Sequence, residues 1–278
     1  YRTVALVVQR ELIARRKAAL IITAVLVTVA VGMITLLAAV GDGGGPARLR
    51  PDEADELLGF IGVIVMFMAI LMTGQVLLLG VAEEKSSRVA EVVLGAMRPR
   101  WLLLGKVISI GLIGLFEVLL TGALVLLVGS NLDTIELPAA TGAAIAIVVL
   151  WFLLGFSFYA TVYAAAGALV ARHQNAANAA GPINIVVMIG YFIGVISAQE
   201  IGSNIVLRIA SLTPPLAPTT MPLRMIQGTA EVWEIAVSIF LIVVTAYLMI
   251  LVAERVYSGG LLMSGKTRIR EAFRNAVR

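Results

Sequence analysis

The chain has 278 residues, 60% of them hydrophobic and 14% charged, with a mean hydropathy of +1.00. Soluble domains hold roughly 45–50% apolar and about 25% charged residues, so this excess exceeds what a soluble core of this size takes up and points to a bilayer. With no cysteine and one histidine, His173, a disulfide framework, a thiolate metal site and a multi-histidine centre are all excluded. A net charge of +4 would hint at nucleic acid in a soluble chain. Here the Lys and Arg residues lie beside apolar runs, which is the positive-inside pattern of a membrane protein.

Residues 1–17 place Val4, Val8 and Leu12 at i+4 spacing with Arg10, Arg15 and Arg16 on other faces. This predicts a cytoplasmic interfacial elbow helix. Six apolar runs follow, at 18–40, 57–81, 102–128, 139–170, 182–198 and 232–253, against about 20 residues needed to span the hydrocarbon. Lipid offers the backbone no hydrogen-bond partner, so each run is predicted to be helical, and the alternating pattern of a barrel is absent. The fold class expected is an all-α membrane protein with six transmembrane helices in a domain over 18–253. With the N-terminus inside, only Arg48, Arg50, Arg208 and Arg224 of the 21 Lys and Arg residues fall outside. Both termini are therefore expected in the cytoplasm, in the inner (plasma) membrane.

Between spans, residues 41–56 form a short outer loop with Gly43, Gly44 and Gly45. The inner segment 84–98 carries Val89, Val92, Val93, Ala96 and Met97 on one helical stripe, with Glu84 and Arg88 four apart and Pro99 as a stop. Such an amphipathic helix either transmits force from a soluble partner or rests on lipid headgroups. The outer segment 199–231 combines Pro214, Pro215, Pro218 and Pro222 with apolar residues such as Leu207 and Met221. Prolines break regular helix, so short half-helices re-entering the outer leaflet are expected, with a plain loop as the other reading. The tail 254–278 is basic and cytoplasmic.

Two motif matches fail. Residues 260–267 fit the phosphate-loop pattern GxxxxGK[ST], which needs a strand before it and a helix after it to ring the phosphates with amides. A membrane span precedes it, and 268–278 leave no room for a nucleotide-binding domain. Glu83, Glu84 and Arg88 resemble the first motif of membrane prenyl-protein proteases, but His173 alone cannot complete that site. The chain itself is expected to perform no covalent chemistry.

Glu117 lies in mid-span, where a charged side chain costs about 2.5 kcal/mol or more and marks a partner or a pathway. Gln75, Asn184 and Ser157 are milder candidates for hydrogen bonds between helices. Gln75, Glu117 and Asn184 are the candidate translocation-path residues, with packing between helices as the plainer reading. His173 is read as interfacial rather than as a ligand.

The run 80–91, GVAEEKSSRVAE, followed by Arg98-Pro99 and Leu104-Gly105-Lys106, strongly resembles the permease subunits of type-2 ATP-binding-cassette exporters, most closely the sodium-extrusion-type branch. The proline segment 214–225 and the run 255–266 resemble that branch as well. The resemblance implies an elbow helix, six spans and a coupling helix acting on a separate cytoplasmic ATPase, with two permeases (identical or homologous) and two ATPases in the working exporter. It places Glu83, Glu84, Lys85, Ser87, Arg88 and Glu91 at the coupling surface. It implies no cofactor in this chain, ATP and Mg being held by the partner. The branch often carries a large outer domain between the first two spans; here 41–56 joins them, which leaves a missing domain near 42–50 open. The substrate stays open among ions, drugs and lipid-like molecules. The competing reading is an ATPase-independent channel or ion-coupled carrier using Glu117.

Overall fold

The computed structural model describes residues 2–40, 51–86, 99–131, 141–170, 176–198 and 205–261, with side chains placed for 5–32, 60–84, 101–127, 142–170, 178–196 and 205–256. Among the described residues there are eight helices and no strand: α1 Arg2–Val40, α2 Pro51–Ser86, α3 Pro99–Asn131, α4 Thr141–Leu169, α5 Ala176–Ala198, α6 Ile205–Leu212, α7 Ala217–Ile226 and α8 Val232–Leu261. Five of them, α2, α3, α4, α5 and α8, are long and apolar enough to cross a membrane. The chain is a multi-pass membrane protein.

Of the uncharged apolar run 18–40, which lies within α1, the side chains of 18–32 are described. The helix does not break at residue 17, where an elbow was expected to end; Arg2–Val40 is one unbroken helix. The long helices also outrun their apolar cores. α5 starts at Ala176, so Pro182 lies inside the helix instead of opening it. In lipid, a helix tolerates such a proline when neighbouring helices and side chains take up the freed backbone group.

α1 packs along α3, α2 along α4, and α4 along α8, so α2 and α4 form the centre of the bundle. The centre is closed by large side chains set against glycines. Trp151, Phe152, Tyr159 and Tyr163 of α4 are all buried. The Tyr163 ring lies over Gly74, where an added Cβ would sit 2.2 Å from Cε2. At Gly167 an added Cβ would meet the backbone carbonyl oxygen of Leu78 at 2.6 Å, so α2 and α4 approach there backbone to backbone, as small residues permit in membranes. Backbone yields less readily than a flexible side-chain tip. Gly167→Ala is therefore expected to force α2 and α4 apart at a cost of about 1–3 kcal/mol, read as a lower thermal midpoint in detergent, whereas Gly122→Ala, where nothing lies within 4 Å, should be silent.

α6 and α7 occupy the segment where half-helices were expected, joined by the turn at Thr213–Leu216. α7 packs on α5, α2 and α4, and α6 packs on α5 and α8. Tyr159 donates its hydroxyl hydrogen bond to the Pro215 carbonyl. The Trp151 indole donates to the Met225 sulfur at 3.1 Å.

Candidate functional site

The motif residues that could be placed stand at one end of the bundle. Glu83 and Glu84 close the apolar part of α2, and Lys106 stands near the start of α3. The Lys106 side chain is 1% exposed. A buried ammonium requires partners, since removing it from water costs several kcal/mol. Lys106 has three: its Nζ is 2.9 Å from Glu84 Oε1, 3.3 Å from Glu11 Oε1 and 3.4 Å from the Gly80 carbonyl oxygen. Those three acceptors match the three N–H donors of an ammonium. Arg15 bonds Glu11 one turn away at 3.4 Å and approaches Glu83 at 3.9 Å. Gly80 makes room for both cations, because a Cβ there would lie 2.3 Å from the Arg15 guanidinium and 3.5 Å from Lys106 Nζ. The result is a charged clasp joining α1, α2 and α3.

Glu84 belongs to α2, which runs to Ser86, and it points into the protein at Lys106. Glu83 is more open, its side chain 63% exposed. Lys85 lies on α2 outside the described side chains, while Ser87, Arg88 and Glu91, with most of the expected 84–98 helix, fall outside the described residues. So do His173 and the phosphate-loop-like run beyond Leu261.

The three path candidates stand on three helices, Gln75 on α2, Glu117 on α3 and Asn184 on α5. Asn184 accepts the Tyr163 hydroxyl at 2.6 Å and so ties α5 to α4 beside α2. Gln75 is half-buried on α2. Ser157 is exposed and donates to Leu153 of its own helix at 2.6 Å, so it makes no bond to another helix among the described residues. Glu117 is fully buried on α3, and neither carboxylate oxygen is bonded by a described protein group; the Thr121 hydroxyl one turn on is in the same condition.

Sequence reasoning missed a second charged cluster. Glu234, at the start of α8 and fully buried, accepts from Arg224 of α7 at 2.5 Å and from the Glu231 amide at 3.2 Å, and its other oxygen forms an ion pair with Arg208 of α6. Arg224 also donates to Ser211 Oγ at 2.7 Å and to the Thr229 carbonyl at 3.0 Å. Ser238 of α8 donates to the Ser211 carbonyl at 2.7 Å. Arg208 lies over the Trp233 ring, 5.5 Å from its centroid. This lock binds α6, α7 and α8 to one another. The signal was present, since the two arginines of 199–231 had been noted as outer charges. Their carboxylate partner went unseen because only basic residues enter the orientation rule.

The family described as "ABC-2 family transporter protein" matches residues 45–253. The chain belongs to the ABC-2 transporter family. Two curated relatives are similar to it. The uncharacterized protein YhaP of Bacillus subtilis is 27% identical over 239 residues, covering 82% of this chain and 57% of that protein. The uncharacterized protein MJ1024 of Methanocaldococcus jannaschii is 24% identical over 209 residues, covering 75% and 50%. The chain thus spans about half the length of the curated relatives it matches. As an ABC-2 permease it is a component of membrane transport. The family match takes in α2 to most of α8 and with them Glu84, Lys106, Glu117 and the Arg224–Glu234 lock, but begins after α1. Glu11, the clasp's contribution from α1, therefore lies before the matched stretch.

Proposed function

We propose that this chain is the transmembrane permease subunit of an ATP-driven exporter in the inner membrane, with both termini in the cytoplasm. It works with a separate ABC ATPase and a second permease protomer, identical or homologous. ATP and Mg bind on the ATPase, and the permease forms the path. The cargo is an ion, a drug or a lipid-like molecule.

The observation that carries this reading is the clasp. The segment 87–98 leaves α2 at Ser86 and re-enters as α3 at Pro99. Lys106 joins the two helices that flank that segment and, through Glu11, adds α1. A push on 87–98 by an ATPase is then delivered to three helices as one body, without being lost in bending a loop. Held this way, an ATP-driven stroke rocks the protomer against its partner and opens the path outward. Glu83, Lys85, Ser87, Arg88 and Glu91 are the residues we assign to contact with the ATPase, and Glu84 to the clasp.

Co-purification tests the class: a stoichiometric soluble ATPase should be retained by the permease. Arg88→Glu should abolish transport-linked ATPase stimulation while the thermal midpoint of the bundle stays within about 1 °C, the range of a surface substitution. Unchanged stimulation would remove 87–98 from the coupling path. The second reading, an ion-coupled carrier, is favoured by Glu117, whose buried carboxylate has no hydrogen-bond partner among the described residues. It predicts uptake or efflux by the purified permease on an ion gradient alone, lost in Glu117→Gln.

A further inference from the structure

A cavity of about 280 Å³ lies between α2, α3 and α4, at the end of the bundle away from the Lys106 clasp. Ile61 and Val65 of α2, Val118 and Gly122 of α3, and Val148 of α4 form its walls, and every described lining residue is aliphatic or glycine. The geometry points to a binding site for one acyl chain of a membrane lipid. Three features argue for that occupant. First, the lining is almost entirely apolar, and a water needs two or more polar partners to reside in a cavity. Second, protein interiors are close-packed, and the cost of leaving a void empty rises with its volume. Third, the cleft opens sideways. Leu119 and Ala123 of α3 are exposed at its mouth, within the apolar spans Trp101–Leu127 and Gly142–Leu169. At that depth the surrounding medium is hydrocarbon.

The shape favours a chain over a compact body. The lining on α3 runs from Val118 to Leu126, about 12 Å of helix rise, so the long dimension follows the helices and thus the lipid tails. The two glycines at the cleft differ. A Cβ at Gly62 would strike Val148 Cγ2 at 2.9 Å, whereas one at Gly122 meets nothing within 4 Å. Gly62 closes the α2–α4 packing, and Gly122 leaves the cleft open.

The test uses the full chain in nanodiscs of phosphatidylcholine that carry a small fraction of the same lipid with a diazirine in mid-chain. After irradiation, cross-links should concentrate on 118–126 and 144–149 beyond the level on the exposed face of α8 around Phe240 and Tyr247, which reports ordinary boundary lipid. Gly122→Leu, which fills the cleft from an open position, should lose the cleft cross-links, keep those on α8 and raise the thermal midpoint in delipidated detergent. Ala123→Phe, at the exposed mouth, should lose them too without touching the core, and stands in should Gly122→Leu fail to fold. Cleft labelling no higher than on α8 overturns the proposal, as would labelling unchanged in both variants. Labelling by a diazirine fatty acid but not by the phospholipid also overturns it, because the occupant would then be a free single-chain amphiphile.

Discussion

Lys106→Met should uncouple the permease from its ATPase and destabilise the bundle together. The substitution keeps the length of the side chain and removes the ammonium, leaving Glu11 and Glu84 face to face, their side chains 10% and 15% exposed. Removing one partner of a buried ion pair costs about 3–5 kcal/mol, and the lower end of that range is expected here because Glu11 keeps Arg15 at 3.4 Å. The thermal midpoint is therefore expected to fall by several degrees, and ATPase stimulation by the permease to fall at least about tenfold, the change that about 1.4 kcal/mol of coupling supplies. Stability and coupling can be separated. In the triple variant Glu11→Gln, Glu84→Gln, Lys106→Met the three most buried charges are gone together while the more open Arg15 keeps Glu83, and neutral replacement of buried ionic groups is often close to neutral in stability. Its thermal midpoint should return most of the way to that of the parent. If the clasp carries force between α2, α1 and α3, stimulation stays low in the triple variant, because the packing has recovered but the ionic tie has not. Recovery of both would reduce the clasp to packing alone.

The clasp also marks where the sequence stops speaking. Apolar runs of the right length announce helices, since in lipid a backbone has no alternative; α2, α3, α4, α5 and α8 were legible on that ground. Lys106 was visible only as a basic residue near a span end and as a letter of the family-like run 104–106. Its partners depend on how α1 lies along α3, and that is a matter of packing between segments far apart in the chain. A rule was nonetheless available: a lysine inside an apolar span must find acids, and Glu11 and Glu84 are the nearest acidic residues at the ends of the neighbouring helices. Ser157 shows the opposite failure. Its residue type suits a bond between helices, yet its position on the exposed side of α4 turns the hydroxyl back onto Leu153. The continuity of α1 through Lys17 was hidden for a similar reason. A change from charged to apolar composition marks a change of environment, and one straight helix can pass through both.

The lock on α6, α7 and α8 should prove the second sensitive point, with an effect confined to its own end of the molecule. In Glu234→Gln the shape is kept and the charge removed, so Arg224, its side chain 7% exposed, keeps Ser211 and the Thr229 carbonyl but loses its counter-ion. Arg224→Met removes the cation and leaves Glu234 to Arg208, which is half in solvent and a weaker neutraliser for that reason. Each single change is expected to cost about 3–5 kcal/mol of the local packing energy, seen as faster hydrogen exchange across 205–231 while α2 and α4 stay protected. The double variant Arg224→Met, Glu234→Gln should lie closer to the parent than the sum of the singles, with a coupling energy of about 1–3 kcal/mol in a double-mutant cycle. Raising the salt should leave that coupling intact, because the pair is buried, while weakening the exposed Arg208–Glu231 contact at 3.8 Å. If the singles add, or if exchange rises across all spans alike, Arg224 and Glu234 are not a local lock. The short helices would then owe their position to Tyr159, Trp151 and their apolar faces, and the prolines of 214–222 would act only as breaks between them.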